Sequence, residues 1–142
     1  MTHREMWQAF SEMAGIEDVY EAWTFGCDAD ELAQLVLTGR KTATAGLHIW
    51  YERENLELPK AGSYSVVLDS HDVAVCIIKT EKVFVVPFCE VSEAHAWKEG
   101  EGDRSLAYWR RVHEDFFRSE LGEIPFDPAM NVVCEEFIRV YP

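Results

Sequence analysis

The first apolar residues of the chain, Met6, Phe10 and Met13, recur at helical spacing behind Thr2 and Glu5, which stand as the two ends of a capping box. This predicts a helix over about residues 3–14. The segment YEAWTFG has the aromatic bias of a short strand and ends in Gly26. Asp28 and Glu31 have the spacing to cap a second helix, ADELAQLVLT, whose Leu32, Leu35 and Val36 form a buried stripe. Gly39 then sits where a left-handed C-cap is wanted. LHIWYEREN reads as a short helix and LPKAGS as a turn. YSVVLD and VAVCIIKTEKVFVVPF read as strands joined by the polar turn SHD. Ser92 starts another helix, with Val91 placed as its hydrophobic staple. The clearest pattern is SLAYWRRVHEDFFRSEL, where Leu106, Trp109, Val112, His113, Phe116 and Phe117 make one apolar face. A strand, NVVCEEFIRVYP, closes the chain. Helices and strands mix without the regular alternation of a parallel sheet, so the pattern predicts an α+β domain.

No repeat, low-complexity linker or composition shift divides the 142 residues, so a single domain over 1–142 is expected, with the helix at about 3–14 as an extension. Charge narrows the partners. A net charge of −13 opposes bulk, non-specific binding to nucleic acid or to an anionic membrane, because such binding rests on many Lys and Arg contacts. A small ligand, or an RNA-derived one held in a local basic pocket, fits better. The first ten residues lack the apolar run of a signal peptide, and VAVCII and VFVVPF are too short to span a bilayer. A cytoplasmic protein without membrane attachment is expected. Cys27, Cys76, Cys89 and Cys134 are scattered with no C-x-x-C pair, which points to reduced thiols rather than disulfides or zinc.

Two stretches carry candidate chemistry. In LTGRKTATAG, Arg40 and Lys41 leave a helix terminus with Thr42 and Thr44 behind them. On spacing alone the two cations complement the helix dipole and point into water. The alternative is a Lys41 folded inward beside Thr44, made less basic by burial and able to act as a base toward a hydroxyl or water. In AHAWKEGEGDRSL, Glu99, Glu101 and Asp103 alternate with glycines. They read as a solvated acidic turn, as a helix end that turns Glu99 into a pocket, or as three ligands for a divalent cation that match no EF-hand spacing. His95 lies one helical turn before Glu99 and can orient it. His113, on the apolar face of its helix, is most simply a satisfied core histidine, and His48 is a separate candidate. Trp50, Tyr51, Trp97 and Trp109 offer faces for a base, although aromatics at helical spacing are more often core. Neither a P-loop, a G-x-G-x-x-G loop, an H-E-x-x-H pair nor a G-x-S-x-G elbow occurs.

Taken together, GRKTAT, AHAWKEGEGD, YWRRVHEDFF and the closing CEEF strand resemble the ASCH domain family, whose G-x-K-x-x-T element is matched by Gly39, Lys41 and Thr44. The resemblance covers nearly the whole chain. It implies a PUA-like fold, a small mixed β-barrel with flanking helices, in a superfamily that commonly contacts RNA or modified nucleobases. Short bacterial relatives are similar to amidohydrolases that remove the acetyl group of N4-acetylcytidine. Their catalytic residues fall on Lys41, Thr44 and Glu99. Other members resemble metal-dependent ribonucleases, for which Glu99, Glu101 and Asp103 would be the ligands. This chain is longer than the short deacetylases and carries an E-G-E-G-D linker that they lack.

The function so implied is a hydrolase of a modified nucleoside or related small amide, working without a cofactor or metal. Lys41, Thr44 and Glu99 would be catalytic, and Arg40, Thr42, Trp50, His95 and Trp109 would bind substrate. Arg40 or backbone N–H groups around Thr42 to Thr44 would meet the developing oxyanion. The alternatives are a metal-dependent ribonuclease and a non-catalytic domain that binds RNA or a nucleotide.

Overall fold

A computed structural model describes residues 1–142. Eleven short elements follow one another: α1 (His3–Ala14), β1 (Tyr20–Thr24), α2 (Ala29–Leu37), β2 (Ala43–Leu47), α3 (His48–Arg53), β3 (Tyr64–Leu68), β4 (Ala74–Pro87), a 3-10 turn (Phe88–Glu90), α4 (Glu93–Glu99), α5 (Leu106–Leu121) and β5 (Asn131–Tyr141). The α+β class expected from the hydrophobic pattern is the class adopted.

The strands form one sheet in the order β1-β3-β4-β5-β2, with β1 parallel to β3 and every other pair antiparallel. β4 holds it together, pairing with β3 through its first half and with β5 along most of its length. Register shifts at Ile77/Ile78 and Thr80/Lys82 interrupt the β4–β5 ladder. Bulges of this kind bend a strand and increase its twist, so the sheet curls into a half-barrel. The seam stays open, because β1 and β2 are the two edges and do not pair with each other.

Both faces of the curled sheet are covered. Val66 and Val67 are adjacent and fully buried, yet they belong to different apolar clusters, as the two-residue period of a strand requires. Val66 joins Met6 and Phe10 of α1, while Val67 joins Ala33 and Val36 of α2. A third cluster seats α5, through Trp109, Phe117 and Leu121, on Leu47, Val132 and Cys134.

Most caps follow the sequence. Thr2 and Glu5 form the complete capping box of α1, an arrangement that stabilises a helix by about 1 kcal/mol. Ser92 and Ser105 cap α4 and α5, and Val91 shares a buried cluster with Ala96, the contact a hydrophobic staple makes. Three details differ. Met13 is 68% exposed, since α1 covers the sheet with only the stripe that carries Met6 and Phe10. Asp28 makes no side-chain cap: its backbone is left-handed, at φ 46°. In α2 the buried positions are Leu32, Ala33 and Val36, with Leu35 only partly covered. Strand β2 was not among the expected elements. Ala-Thr-Ala-Gly-Leu has little intrinsic strand preference, and pairing with β5 supplies what local sequence does not.

Candidate active site

Lys41 reaches the interior because α2 stops abruptly. Gly39 follows the C-cap residue Thr38 with φ 84°, and the Lys41 N–H returns to the Leu35 carbonyl at 3.0 Å. The turn sends the lysine side chain under the start of β2, where it is 2% exposed. Arg40, one residue earlier, goes the other way. Its guanidinium donates to the carbonyls of Gly100 and Gly102 at 2.7 and 2.8 Å and pins the linker between α4 and α5. That linker requires glycine at 100. A Cβ there would stand 2.3 Å from the Arg40 carbonyl oxygen, and its φ is 74°.

The Lys41 ammonium lies 3.0 Å from Glu99 Oε1 and 3.0 Å from Glu101 Oε2. Glu99, at the last turn of α4, is as buried as the lysine and has further partners. Trp109 Nε1 donates to its Oε2 at 2.6 Å, His95 Nε2 meets the same oxygen at 2.7 Å, and His113 Nε2 approaches Oε1 at 3.4 Å. His113 also stacks on Trp109, with ring centroids 4.1 Å apart, and its Nδ1 lies 2.8 Å from the Trp109 carbonyl oxygen. Both ring nitrogens of His113 therefore face acceptors, which suits an imidazolium. His95 differs. Its Nδ1 has no partner, and Nε2 is the one ring nitrogen turned toward Glu99.

These contacts set the charges. Burial works against the Lys41 ammonium, but the carboxylates of Glu99 and Glu101 outweigh it and raise its pKa. The expectation of a lysine made less basic by burial is thus corrected: two anions accompany it inward. Burial likewise opposes ionisation of Glu99, yet the charges of Lys41 and His113 and the histidine hydrogen bonds hold its carboxyl well below the ordinary value. For His113 burial favours the neutral ring, and the charge and hydrogen bond of Glu99 reverse that, so its pKa rises.

A pocket of about 110 Å³ opens over this cluster, lined by Lys41, Thr44, Glu99, Glu101 and His113 among apolar neighbours. Beside it, between the unpaired edges β1 and β2, lies a cavity of about 680 Å³, a volume suited to a small organic ligand. Trp23, Trp50 and Tyr51 are among its aromatic residues. Thr44 lines both spaces and stands where they adjoin. The structure therefore brings Lys41, Thr44 and Glu99 to one pocket, and places Trp50 in the cavity next door. Trp50 Nε1 is buried without a hydrogen-bond partner. Glu120, whose pKa is raised by burial and lowered by the indole, is close enough to feel it but lies outside hydrogen-bond geometry.

Other candidates sit elsewhere. Trp109 and His95 are 2% and 3% exposed and act on Glu99, so neither presents a face to a ligand. Thr42 turns its N–H to the Lys98 carbonyl at 2.7 Å, with its hydroxyl 3.4 Å from the same oxygen. With Arg40 engaged on the linker, neither Thr42 nor Arg40 is free to meet an oxyanion. His48 pairs with Glu52 on α3, and the exposed Trp97 ring lies under the Arg104 guanidinium.

The metal alternative changes its membership. Asp103 caps the Ser105 N–H at 2.9 Å, out on the linker. Glu99, Glu101 and His113 are the three whose ligand atoms lie within 4.8 Å of one another. The Lys41 ammonium already contacts both carboxylates, so it stands where a cation would be held. Glu101 and His113 were undervalued in the sequence: one looked like a turn residue, the other like core. Their signal was positional, since Glu101 is two residues beyond Glu99 and His113 one helical turn beyond Trp109. Glu135 of β5, opposite Thr44 in the ladder, also lines the larger cavity and was not singled out.

The ASCH domain family profile matches residues 21–141, beginning after α1. Among solved structures, an ASCH domain from Lactobacillus crispatus is 34% identical, covering 97% of this chain and 96% of its own, with a TM-score of 0.87. A protein from Enterococcus faecalis is 36% identical over 97% of this chain and 87% of its own, with a TM-score of 0.90. A hypothetical protein at 18% identity, covering 85% of this chain and 98% of its own with a TM-score of 0.57, shares the fold alone. No functionally curated protein matches the sequence. The curled mixed sheet with flanking helices is the PUA-like α+β fold that the motifs implied. With the profile spanning most of its length, the chain belongs to the ASCH domain family.

Proposed function

We propose that this protein is a hydrolase of a modified nucleoside or related small amide, of the N4-acetylcytidine type. ASCH domains are associated with RNA- or nucleotide-related binding. The observation that carries the finer reading is the position of Thr44, between a small pocket holding Lys41 and Glu99 and a large cavity with aromatic walls. A nucleoside ring in the cavity would direct its acyl group past Thr44 toward the lysine.

The resting Lys41 is an ammonium, so it becomes a base only by giving up a proton. Glu99 is held ionised by its other donors. Glu101, partly exposed and bonded within the cluster to Lys41 alone, is the better receiver. A substrate that fills the pocket excludes water and favours the neutral amine–acid pair over the ion pair. The Lys41 amine then takes the proton of Thr44 Oγ1 as that oxygen bonds to the acyl carbon. The carbon–nitrogen bond breaks and the departing amine takes the proton held by Glu101. Water next attacks the acyl carbon and gives a proton to the Glu101 carboxylate. The bond from that carbon to Thr44 Oγ1 breaks, the oxygen takes its proton back from the Lys41 ammonium, and Glu101 returns a proton to Lys41 as the acid leaves. Glu99, fixed by Trp109 and both histidines, keeps Lys41 aimed. The charge of −13 accords with a neutral nucleoside rather than a polyanion.

The test is release of cytidine and acetate from N4-acetylcytidine by the purified protein, with and without a chelator. Equal turnover in both is expected. Absence of turnover would refute the reading, and turnover lost with the chelator would favour a metal at Glu99, Glu101 and His113.

A further inference from the structure

Thr44 and Glu135 are directly opposite in the antiparallel β2–β5 ladder, so their side chains leave the same face of the sheet about 5 Å apart. Both line the 680 Å³ cavity. Nothing in the hydrolysis scheme uses Glu135. No cation neutralises it inside the cavity: Lys60 alone among the lining residues is basic, and it is 74% exposed beside Glu57. The groups that face Glu135 are Thr80 of β4, whose hydroxyl lies 3.5 Å away, Glu21 of β1 and Tyr51 of α3, with Glu120 of α5 further along the lining. A carboxyl in such surroundings favours its neutral form. Burial raises it, a hydrogen bond from Thr80 opposes, Glu21 adds to the rise, and the result is about 7.

Resting on the nucleoside reading, we propose that Glu135 is the base-recognition residue of the cavity, pairing its carboxyl with the ring-nitrogen and exocyclic N–H edge of a cytosine-type ring. A carboxylic acid has the complementary pattern: its O–H donates to the ring nitrogen, and its carbonyl oxygen accepts the exocyclic N–H. A carboxylate has no proton to donate. The cross-strand pairing with Thr44 places this recognition one side chain from the proposed nucleophile. Trp23, Trp50 and Tyr51 line the same cavity, and aromatic side chains are the groups on which a base stacks. Glutamine carries the same donor and acceptor without titrating, so it separates the chemistry of the group from its mere presence.

The test is calorimetric titration of cytidine into wild type, Glu135→Gln and Glu135→Ala at pH 6 and pH 8.5, with KM and kcat on N4-acetylcytidine and a thermal melt of each. Wild type should bind about tenfold more tightly at pH 6 than at pH 8.5. Glu135→Gln should bind at both pH values as wild type does at pH 6. Glu135→Ala should bind about tenfold or more weakly and show a correspondingly raised KM at pH 6, as expected for two lost hydrogen bonds, with kcat changed far less. A folded Glu135→Ala with wild-type affinity and KM would overturn the assignment while leaving the hydrolase reading intact. Pairing as a neutral acid would be overturned by a Glu135→Gln as weak as Glu135→Ala, or by wild-type binding that ignores pH. If wild type neither binds cytidine nor hydrolyses the acetylated nucleoside, the hydrolase reading fails and this one with it.

Discussion

Lys41 Nζ and Glu99 Oε1 are 3.0 Å apart with both side chains about 1% exposed, although 58 residues separate them in the chain. A buried ion pair of this kind is held by its surroundings as much as by its own attraction, since each ion loses its hydration on the way in. Here the surroundings are Glu101 on one side, and His95, Trp109 and His113 on the other. The pair ties the end of α2 to the end of α4.

Lys41→Met should abolish turnover and also lower stability. A solvated lysine at a helix end would cost almost nothing to remove. This one leaves Glu99 and Glu101 without their shared cation, and breaking a buried pair costs about 3 kcal/mol. The double variant Lys41→Met/Glu99→Gln should recover part of that loss. Thermal melts of the two proteins check it, and a Lys41→Met as stable as wild type would contradict the burial of the charge.

Glu101→Gln bears on the proton path. Glu101 is not a bystander in a turn: it touches the lysine and raises its pKa alongside Glu99. Removing its charge should lower the Lys41 pKa and remove the proton receiver. Turnover at pH 7 should fall by about a hundredfold and recover as the pH rises, when hydroxide takes over deprotonation of the lysine. A pH–rate profile that keeps its wild-type shape would exclude Glu101 from the path.

Stability should pass through a maximum on the acid side of neutrality. Glu99 is depressed, so its contribution is present above its unfolded value of 4.5 and is lost as the pH falls through its folded one. His113 is raised, so its contribution is present below 6.5 and is lost as the pH rises through its folded value. Glu135, raised from 4.5 to about 7, favours the folded state least once ionised, so stability declines between those values. Glu135→Gln should flatten that decline and add about 2 kcal/mol at pH 7.5. Thermal midpoints from pH 4 to pH 9 measure it.

Thiol labelling should count four free cysteines in the denatured protein without reductant. In the native state the exposed Cys89 should react quickly, and Cys27, exposed but with its thiol pushed up by partial burial and by the acidic groups of Asp28, Glu101 and Glu120, more slowly. Cys76 and Cys134 should react only on unfolding, since both are buried and burial pushes each thiol up to about 12. Fewer than four labels after denaturation would reveal a disulfide.

The sequence by itself determined the local elements, because caps and apolar periodicity act within a few residues. Thr2 with Glu5, Ser92 and the stripe through Trp109 and Phe117 are legible without tertiary structure. So are the motifs around Lys41, Thr44 and Glu99, whose spacing carries the family resemblance. Tertiary structure decided what those motifs mean physically. Strand β2 exists through its pairing with β5, not through the propensity of ATAGL. Arg40 and Lys41 look alike at a helix end, yet one clamps the linker and the other enters the core, because two carboxylates, one in the last turn of α4 and one just beyond it, wait for only one of them. The basicity of Lys41 follows from those distant anions rather than from burial alone. His113, read as core, became part of the charge cluster for the same reason: electrostatic partners are set by distance in space, which the order of residues does not record.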